Sequence, residues 1–101
     1  MKVLFVCSLG MSSAVAVNAL KKEAKAKGVE IEVKAVSTQQ FEEEVKNGYD
    51  VAMVAPQIRH RFDTLNAYAK EAKVPCAMIT PQGYSPLGGP KLLKQIQEIL
   101  G

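Results

Sequence analysis

Val3-Leu4-Phe5-Val6-Cys7-Ser8-Leu9-Gly10-Met11-Ser12-Ser13 decides how the rest of the chain is read. Val3 to Cys7 is an unbroken apolar run of strand length, the pattern of a strand buried on both faces. Gly10 breaks the stretch after Cys7. Ser12 or Ser13 is then placed to cap a helix running to about Lys27, with Val17, Leu20 and Ala24 on one face and Gly28 as its stop. A buried strand feeding a helix through a short loop opens a β-α-β unit, and a chain of such units builds a parallel sheet.

The same alternation continues outward. Apolar runs recur at Ile31–Val36, Val51–Ala55 and Cys76–Thr80. The last two are nearly continuous, as in strands covered on both sides. The first alternates Ile31, Val33 and Ala35 against Glu32 and Lys34, which predicts an edge strand with one wet face. Thr38 can cap a short helix carrying Phe41 and Val45 and ended by Gly48. The acidic trio Glu42, Glu43 and Glu44 is expected near its start, where the dipole favours negative charge. Ile58, Phe62, Leu65, Ala69 and Ala72 form one helical stripe. Pro90 suits the first turn of a last helix bearing Leu92, Leu93, Ile96, Ile99 and Leu100. Pro81–Pro90 reads as one long turn. The expected fold is α/β: a four-stranded parallel sheet of order 2-1-3-4, helices on both faces, a three-layer α/β/α sandwich with residues 1–101 as one domain.

Composition narrows the function classes. The chain has 101 residues, 48% hydrophobic and 23% charged, enough to bury a core without covalent staples. Cys7 and Cys76 are its two cysteines and His60 its one histidine, so no zinc-type cluster and no disulfide framework is expected. The net charge of +3 is too small to imply nucleic acid, and with no tryptophan there is no stacking platform for single strands. The first twenty residues lack a basic stretch followed by a long apolar run, and no apolar stretch approaches the roughly 20 residues of a membrane span. A reducing, cytoplasmic location with free thiols is expected.

In open α/β sheets the ligand site lies beyond the carboxyl ends of the strands, where strand order reverses. Here that point falls between strands 1 and 3. Three segments converge on it: Cys7 to Ser13, the turn Ala55-Pro56-Gln57, and Thr80 to Gly89. Gly10 lets the first segment curl with its amides inward. The helix start adds free N–H groups and the positive end of a dipole. Ser8, Ser12 and Ser13 add hydroxyl donors. The result is an anion cradle with a sulfur at its base. The same field stabilises the thiolate of Cys7, a nucleophile suited to accepting a phosphoryl group. The plainer alternative makes Cys7 a small buried apolar residue and the serines ordinary caps.

A cysteine phosphatase of the C-x5-R type places a guanidinium six residues after the cysteine, where this chain has Ser13. Its leaving-group acid is missing too: Asp50 falls at the opposite end of strand 3 and Asp63 inside a helix. A loop that holds a phosphoryl group without hydrolysing its ester suits a carrier. The alternatives are a small cysteine phosphatase-like or thiol oxyanion-processing enzyme, and a non-catalytic phosphate-sensing domain.

At these residues the chain resembles the enzyme IIB components of the sugar phosphotransferase system, in the lactose, cellobiose and chitobiose class. The opening stretch Val3 to Ser13, the Pro56-Gln57-Ile58 turn and Tyr84 ahead of a glycine-containing turn carry the resemblance, which covers the whole chain. It implies a transferase in which Cys7 takes a phosphoryl group from a phosphohistidine of enzyme IIA. The group then passes to a sugar, a β-glucoside or disaccharide such as cellobiose, chitobiose or lactose, bound to membrane enzyme IIC. It implies that the amides of Ser8, Leu9, Gly10, Met11, Ser12 and Ser13 cradle the phosphoryl oxygens. No metal or organic cofactor, no nucleic acid and no membrane insertion is implied, and a monomer is expected. We expect the loop to be of the P-loop type and the chemistry to be that of a kinase. Where many relatives read Y-G-x-x-D-G, this chain reads Tyr84-Ser85-Pro86-Leu87-Gly88-Gly89, with Gly88 at the acidic position.

Other residues carry two readings each. Gln57 can donate to the phosphoryl group or cap the next helix. Tyr84 can shield the site or pack the loop. Met11 can top the loop or join the core. Arg59, His60 and Arg61 read first as a solvated helical turn, with an acidic partner or a phosphate as the alternative. Cys76 reads as a core residue.

Overall fold

In the computed structural model, residues 1–7, 13–80 and 88–100 are described. Strand β1 (Lys2–Cys7) takes the middle of the sheet because its side chains are apolar on both faces: Val3, Leu4, Phe5 and Val6 are at most 1% exposed. It pairs in parallel with β2 (Glu32–Ser37) on one side and β3 (Val51–Val54) on the other, with Val6 opposite Val36 and Val54. β4 (Cys76–Met78) pairs with β3, giving the order β2-β1-β3-β4 as expected.

Helices cover both faces. Val3 and Phe5 pack with α1 (Ser13–Ala26), through Ala16, Val17 and Leu20, and with α4 (Gly89–Leu100), through Leu92, Leu93 and Ile96. Leu4 and Val6 pack on the other side with α2 (Thr38–Glu44), through Phe41, and α3 (Phe62–Glu71), through Leu65 and Ala69. This is the expected three-layer sandwich. Gly28 (φ +70°) and Gly48 (φ +84°) turn the chain after the first two helices in a backbone region that other residues resist.

Five local expectations are corrected. In β2 the exposed residues include Ala35, while Val36 is buried against the α2/α3 layer, so the edge strand has no single wet face. Ser37, not Thr38, is the N-cap of α2, with its amide donating to Gln40 Oε1 at 3.3 Å. The helix ends at Glu44, so the acidic trio falls in its last turn, beyond any favourable dipole. Other contacts hold Glu44 there. It accepts from the Tyr49 hydroxyl at 2.6 Å and pairs with Lys34 at 3.2 Å. The stripe from Ile58 is not one helix: a 3-10 segment, Pro56–Arg61, contains non-helical Ile58 (φ −115°, ψ 26°) before α3 begins. Finally, β4 is half-buried along its length, because as the outer strand it lacks a neighbour on one side.

α4 approaches α1 closely at Gly89. A Cβ there would lie 2.5 Å from the Ala19 carbonyl oxygen and 3.0 Å from its carbon, so the two backbones must part to admit it. Gly89→Ala is expected to destabilise the fold by about 1–3 kcal/mol, the range for overpacking. At roughly 4–8 °C per kcal/mol for a domain of this size, calorimetry would resolve it, and an unchanged melting temperature would show that the helices separate freely.

The Glu44–Tyr49 bond makes a second prediction. Tyr49, with Lys34 beside it, holds the Glu44 carboxyl below its ordinary pKa of 4.5. That contribution is complete above the ordinary value and is lost as pH falls through the lowered native one. Burial, and then the bond to Glu44, pushes the Tyr49 hydroxyl up to about 12 from an ordinary 10.0, so its share persists in neutral solution and is lost as pH rises through about 12. In melts between pH 6 and pH 3, Tyr49→Phe is expected to show a shallower loss of stability than the wild type. Parallel curves would mean that the bond contributes nothing.

Candidate functional site

Because β1, β3 and β4 run parallel, the three segments singled out above leave the sheet at the same end. Cys7 is the last residue of β1, opposite Ser37. The Ala55 amide donates to the Val6 carbonyl at 3.0 Å, which ties the start of the strand-3 turn to the end of β1. The Ile79 amide donates to the Val54 carbonyl at 2.8 Å, carrying the chain to Thr80 along the same edge. The order reversal between β1 and β3 therefore lies beside Cys7.

Five residues separate Cys7 from Ser13, the first residue of α1. This helix has 14 residues and no acidic residue in its first turn. Its first turn therefore brings no carboxylate to compete with an incoming anion at the positive end of the helix dipole. Ser8, Leu9, Gly10, Met11 and Ser12, and Tyr84, lie outside the described residues. The backbone places Cys7 and Ser13 at the two ends of the loop and Gln57 in the 3-10 segment that follows β3. Pro56 opens that segment, and the Ile58 amide donates back to Ala55 at 3.1 Å, so the turn is tight. Buried Ile58 anchors it in the α2/α3 layer, while Arg59, His60 and Arg61 are exposed.

The other chemistry-bearing residues stand apart. Asp50 lies at the amino end of β3, the end away from Cys7 as the sequence predicts, and its carboxylate accepts from the Lys2 amide at 2.8 Å. Cys76 is half-buried in β4, and burial pushes its thiol up to about 11. Among the described residues no cluster of three or more His, Cys, Asp or Glu side chains could hold a metal. No helix among them is long and apolar enough to cross a membrane. One open groove, lined by Met1, Lys2, Lys21, Lys25 and Asp50 among others, sits at the amino ends of the strands, and another runs between β2 and α2.

Two residues that support the carboxyl end were missed in the sequence. Gly89 admits α1, whose first turn faces the site, to close contact with the start of α4. Gln95 Nε2 donates to the Met78 carbonyl at 2.8 Å and so holds the end of β4, while its buried Oε1 has no partner among the described residues. A glutamine set between Leu92, Leu93, Ile96 and Ile99 was the available signal, since a polar side chain beside an apolar stripe needs a reason. Gly88 is buried, and its carbonyl accepts from the Leu92 amide at 2.9 Å as the first turn of α4 forms.

Comparison with known proteins agrees with this geometry. The family model described as the lactose/cellobiose-specific IIB subunit of the PTS system matches residues 2–95. The oligo-beta-mannoside-specific EIIB component of the PTS system of Bacillus subtilis (strain 168) is 26% identical over 99 residues, covering 98% of this chain and 95% of that protein. The cellobiose-specific phosphotransferase IIB component of Borrelia burgdorferi is 29% identical, with a TM-score of 0.77 and coverage of 99% and 91% of the two chains. The lactose-specific IIB domain of the phosphoenolpyruvate:carbohydrate phosphotransferase system of Streptococcus pneumoniae shares the fold at 21% identity, with a TM-score of 0.80 and coverage of 100% and 98%.

These matches overturn the P-loop and kinase expectations. The IIB fold is not a P-loop fold, and the comparisons contain nothing of a kinase. The physical reason is readable in the loop itself. A P-loop needs a lysine at the start of its helix to reach the phosphates, in the spacing G-x-x-x-x-G-K-[ST], and Cys7 to Ser13 has no lysine.

The positions of the two cysteines along the chain make a prediction. Iodoacetamide at neutral pH is expected to alkylate Cys7, ahead of a helix start, well before Cys76, whose raised pKa leaves almost no thiolate. Peptide mapping over a time course separates them, and equal rates would overturn the contrast.

Proposed function

Because the chain belongs to the lactose/cellobiose-specific IIB family of the sugar phosphotransferase system, we propose that Cys7 carries a phosphoryl group between two other proteins of that system. The thiolate of Cys7 attacks the phosphorus of a phosphohistidine on enzyme IIA. The S–P bond forms as the N–P bond breaks, and the imidazole departs with the electron pair. In the second transfer a hydroxyl of a sugar held by membrane enzyme IIC attacks the same phosphorus. The O–P bond forms, the S–P bond breaks, the hydroxyl proton goes to a base on the acceptor side, and the thiolate is restored.

The observation that carries this reading is the position of Cys7: last residue of the central strand, at the reversal of strand order, ahead of a helix whose first turn holds no acid. Phosphoryl transfer rests mainly on alignment and on stabilising charge at the equatorial oxygens. The amides of Ser8 to Ser13 supply that stabilisation, and Gln57 and Tyr84 are the accessory candidates. The scheme invokes no metal and no organic cofactor. The lack of an arginine six residues after Cys7 and of an acid beside it favours storage over hydrolysis.

The acceptor is a β-linked disaccharide of the cellobiose, chitobiose or lactose kind, and the oligo-beta-mannoside relative supports β-linkage. The chain works at the cytoplasmic face of the membrane, beside enzyme IIC.

Intact-mass measurement tests the proposal. After incubation with phosphoenolpyruvate, the general phosphotransfer proteins and an enzyme IIA of this class, one phosphoryl adduct is expected. It is expected in the wild type and in Cys76→Ser, and absent in Cys7→Ser. An adduct that survives Cys7→Ser, or none in the folded wild type with several such IIA proteins, would overturn the assignment.

A further inference from the structure

Arg59, His60 and Arg61 are consecutive, and all three are exposed. They close the 3-10 segment that opens at Pro56, immediately after the strand tied to the end of β1, and so they stand on the rim of the candidate site. Arg61 is also the N-cap of α3. A helix start is where positive charge is least favourable, and Asp63 is the acidic residue of that first turn. No acidic side chain among the described residues pairs with either arginine, although pairs do form elsewhere, at Lys27–Glu23 and Lys34–Glu44. The two arginines therefore contribute nothing evident to folding and work against the helix they precede.

The rest of this turn is built to hold these three residues in place. Pro56 fixes the backbone at its entrance, Ile58 is 2% exposed in the α2/α3 layer, and Phe62, first residue of α3, packs against the same layer. The anchored turn presents its basic side chains outward from the end of the sheet where Cys7 sits. A surface of fixed, unpaired, like charges next to a reacting group attracts and orients a partner of opposite charge, and it acts mainly on the rate of encounter.

We infer that Arg59, His60 and Arg61 form the docking surface for an acidic patch on the protein that delivers the phosphoryl group to Cys7. The inference rests on the phosphocarrier reading and adds the chemistry of the donor's contact face. A donor carrying a phosphorylated side chain brings negative charge to the same rim, and acidic residues around it complete the match.

The test compares two double variants of equal net charge. Arg59→Glu with Arg61→Glu reverses the patch. Lys21→Glu with Lys25→Glu makes the same change on the exposed face of α1 near the amino end of the sheet. Rapid-quench assays follow phosphorylation of each protein by a phosphorylated enzyme IIA of the lactose/cellobiose class, at low and at high salt. The patch variant is expected to react at least tenfold more slowly at low salt, with the gap closing as salt screens the interaction. The α1 variant is expected to stay within about twofold of wild type. The patch variant is also expected to melt no lower than wild type, since glutamate suits the start of α3. Equal losses in both variants, or no loss in either, overturn the docking surface while a phosphorylated wild type leaves the carrier reading standing. A wild type that accepts no phosphoryl group overturns both.

Discussion

Burial of β1 on both faces is the constraint on which the rest of the structure depends. Val3 and Phe5 require one apolar layer and Leu4 and Val6 another, so the chain must place helices above and below a single strand. Parallel strands can be joined only by long crossovers, and right-handed crossovers from a central β1 to β2 and then back across to β3 put α1 on one face and α2 on the other. That reversal makes a crevice at the carboxyl ends of β1 and β3. The residue that ends β1 is Cys7. The site thus follows from how the core is built, and the cysteine stands in it because the central strand stops there.

The second layer of support comes from α4. Its helix closes the α1 face with Leu92, Leu93 and Ile96, and it comes near enough that only a hydrogen fits on Gly89. α1 supplies the helix start beside the candidate cradle and α4 begins at the end of the third converging segment. A close contact between the two backbones fixes those starts relative to each other. Gln95 adds a tether from α4 to the last carbonyl of β4, at the otherwise open edge of the sheet. Positioning of the site is therefore shared between the sheet and one helix pair, and the α2/α3 layer contributes through the anchored turn at Ile58.

Much of this was readable from residue pattern, and the misses have physical causes. Continuous apolar runs identified β1 and β3 because those strands are buried on both faces, where no alternation can arise. β4 has equally apolar residues but stands at the edge and stays half-exposed, which no local pattern distinguishes. The acidic trio was placed at the wrong end of α2 because helix length was read from Phe41 and Val45, while the true cap lay one residue earlier and the helix ended by Glu44. Dipole logic then gave way to tertiary contacts with Tyr49 and Lys34. The stripe from Ile58 to Ala72 hid a break, since Ile58 packs into the core from a 3-10 turn as readily as from an α-helix. At the candidate site, Cys7, Gly10 and the serines were visible as residue types at a legible spacing. Gly89 and Gln95 were not, because their roles exist only once α1, α4 and β4 are side by side.

The two ends of the sheet differ in how their charges are used. At the amino end, the Asp50 carboxylate accepts from the Lys2 amide. The Lys2 ammonium lies 4.8 Å from the centre of the Tyr49 ring and donates to the Asn47 carbonyl at 3.3 Å. Tyr49 binds Glu44, and Glu44 binds Lys34. Lys27 and Glu23 pair at the close of α1, the helix end that also lies there. Every one of these contacts satisfies one group with another, and the two ion pairs, with their lysines exposed, are each modest alone. At the carboxyl end Arg59 and Arg61 are exposed and make no ion pair among the described residues, with Asp63 following in the first turn of α3. The ion pairs among the described residues thus stand away from the turn that carries Arg59 and Arg61, and that turn is held by its backbone and by buried Ile58. Changes at the carboxyl rim can then alter recognition without loosening the sheet that positions Cys7.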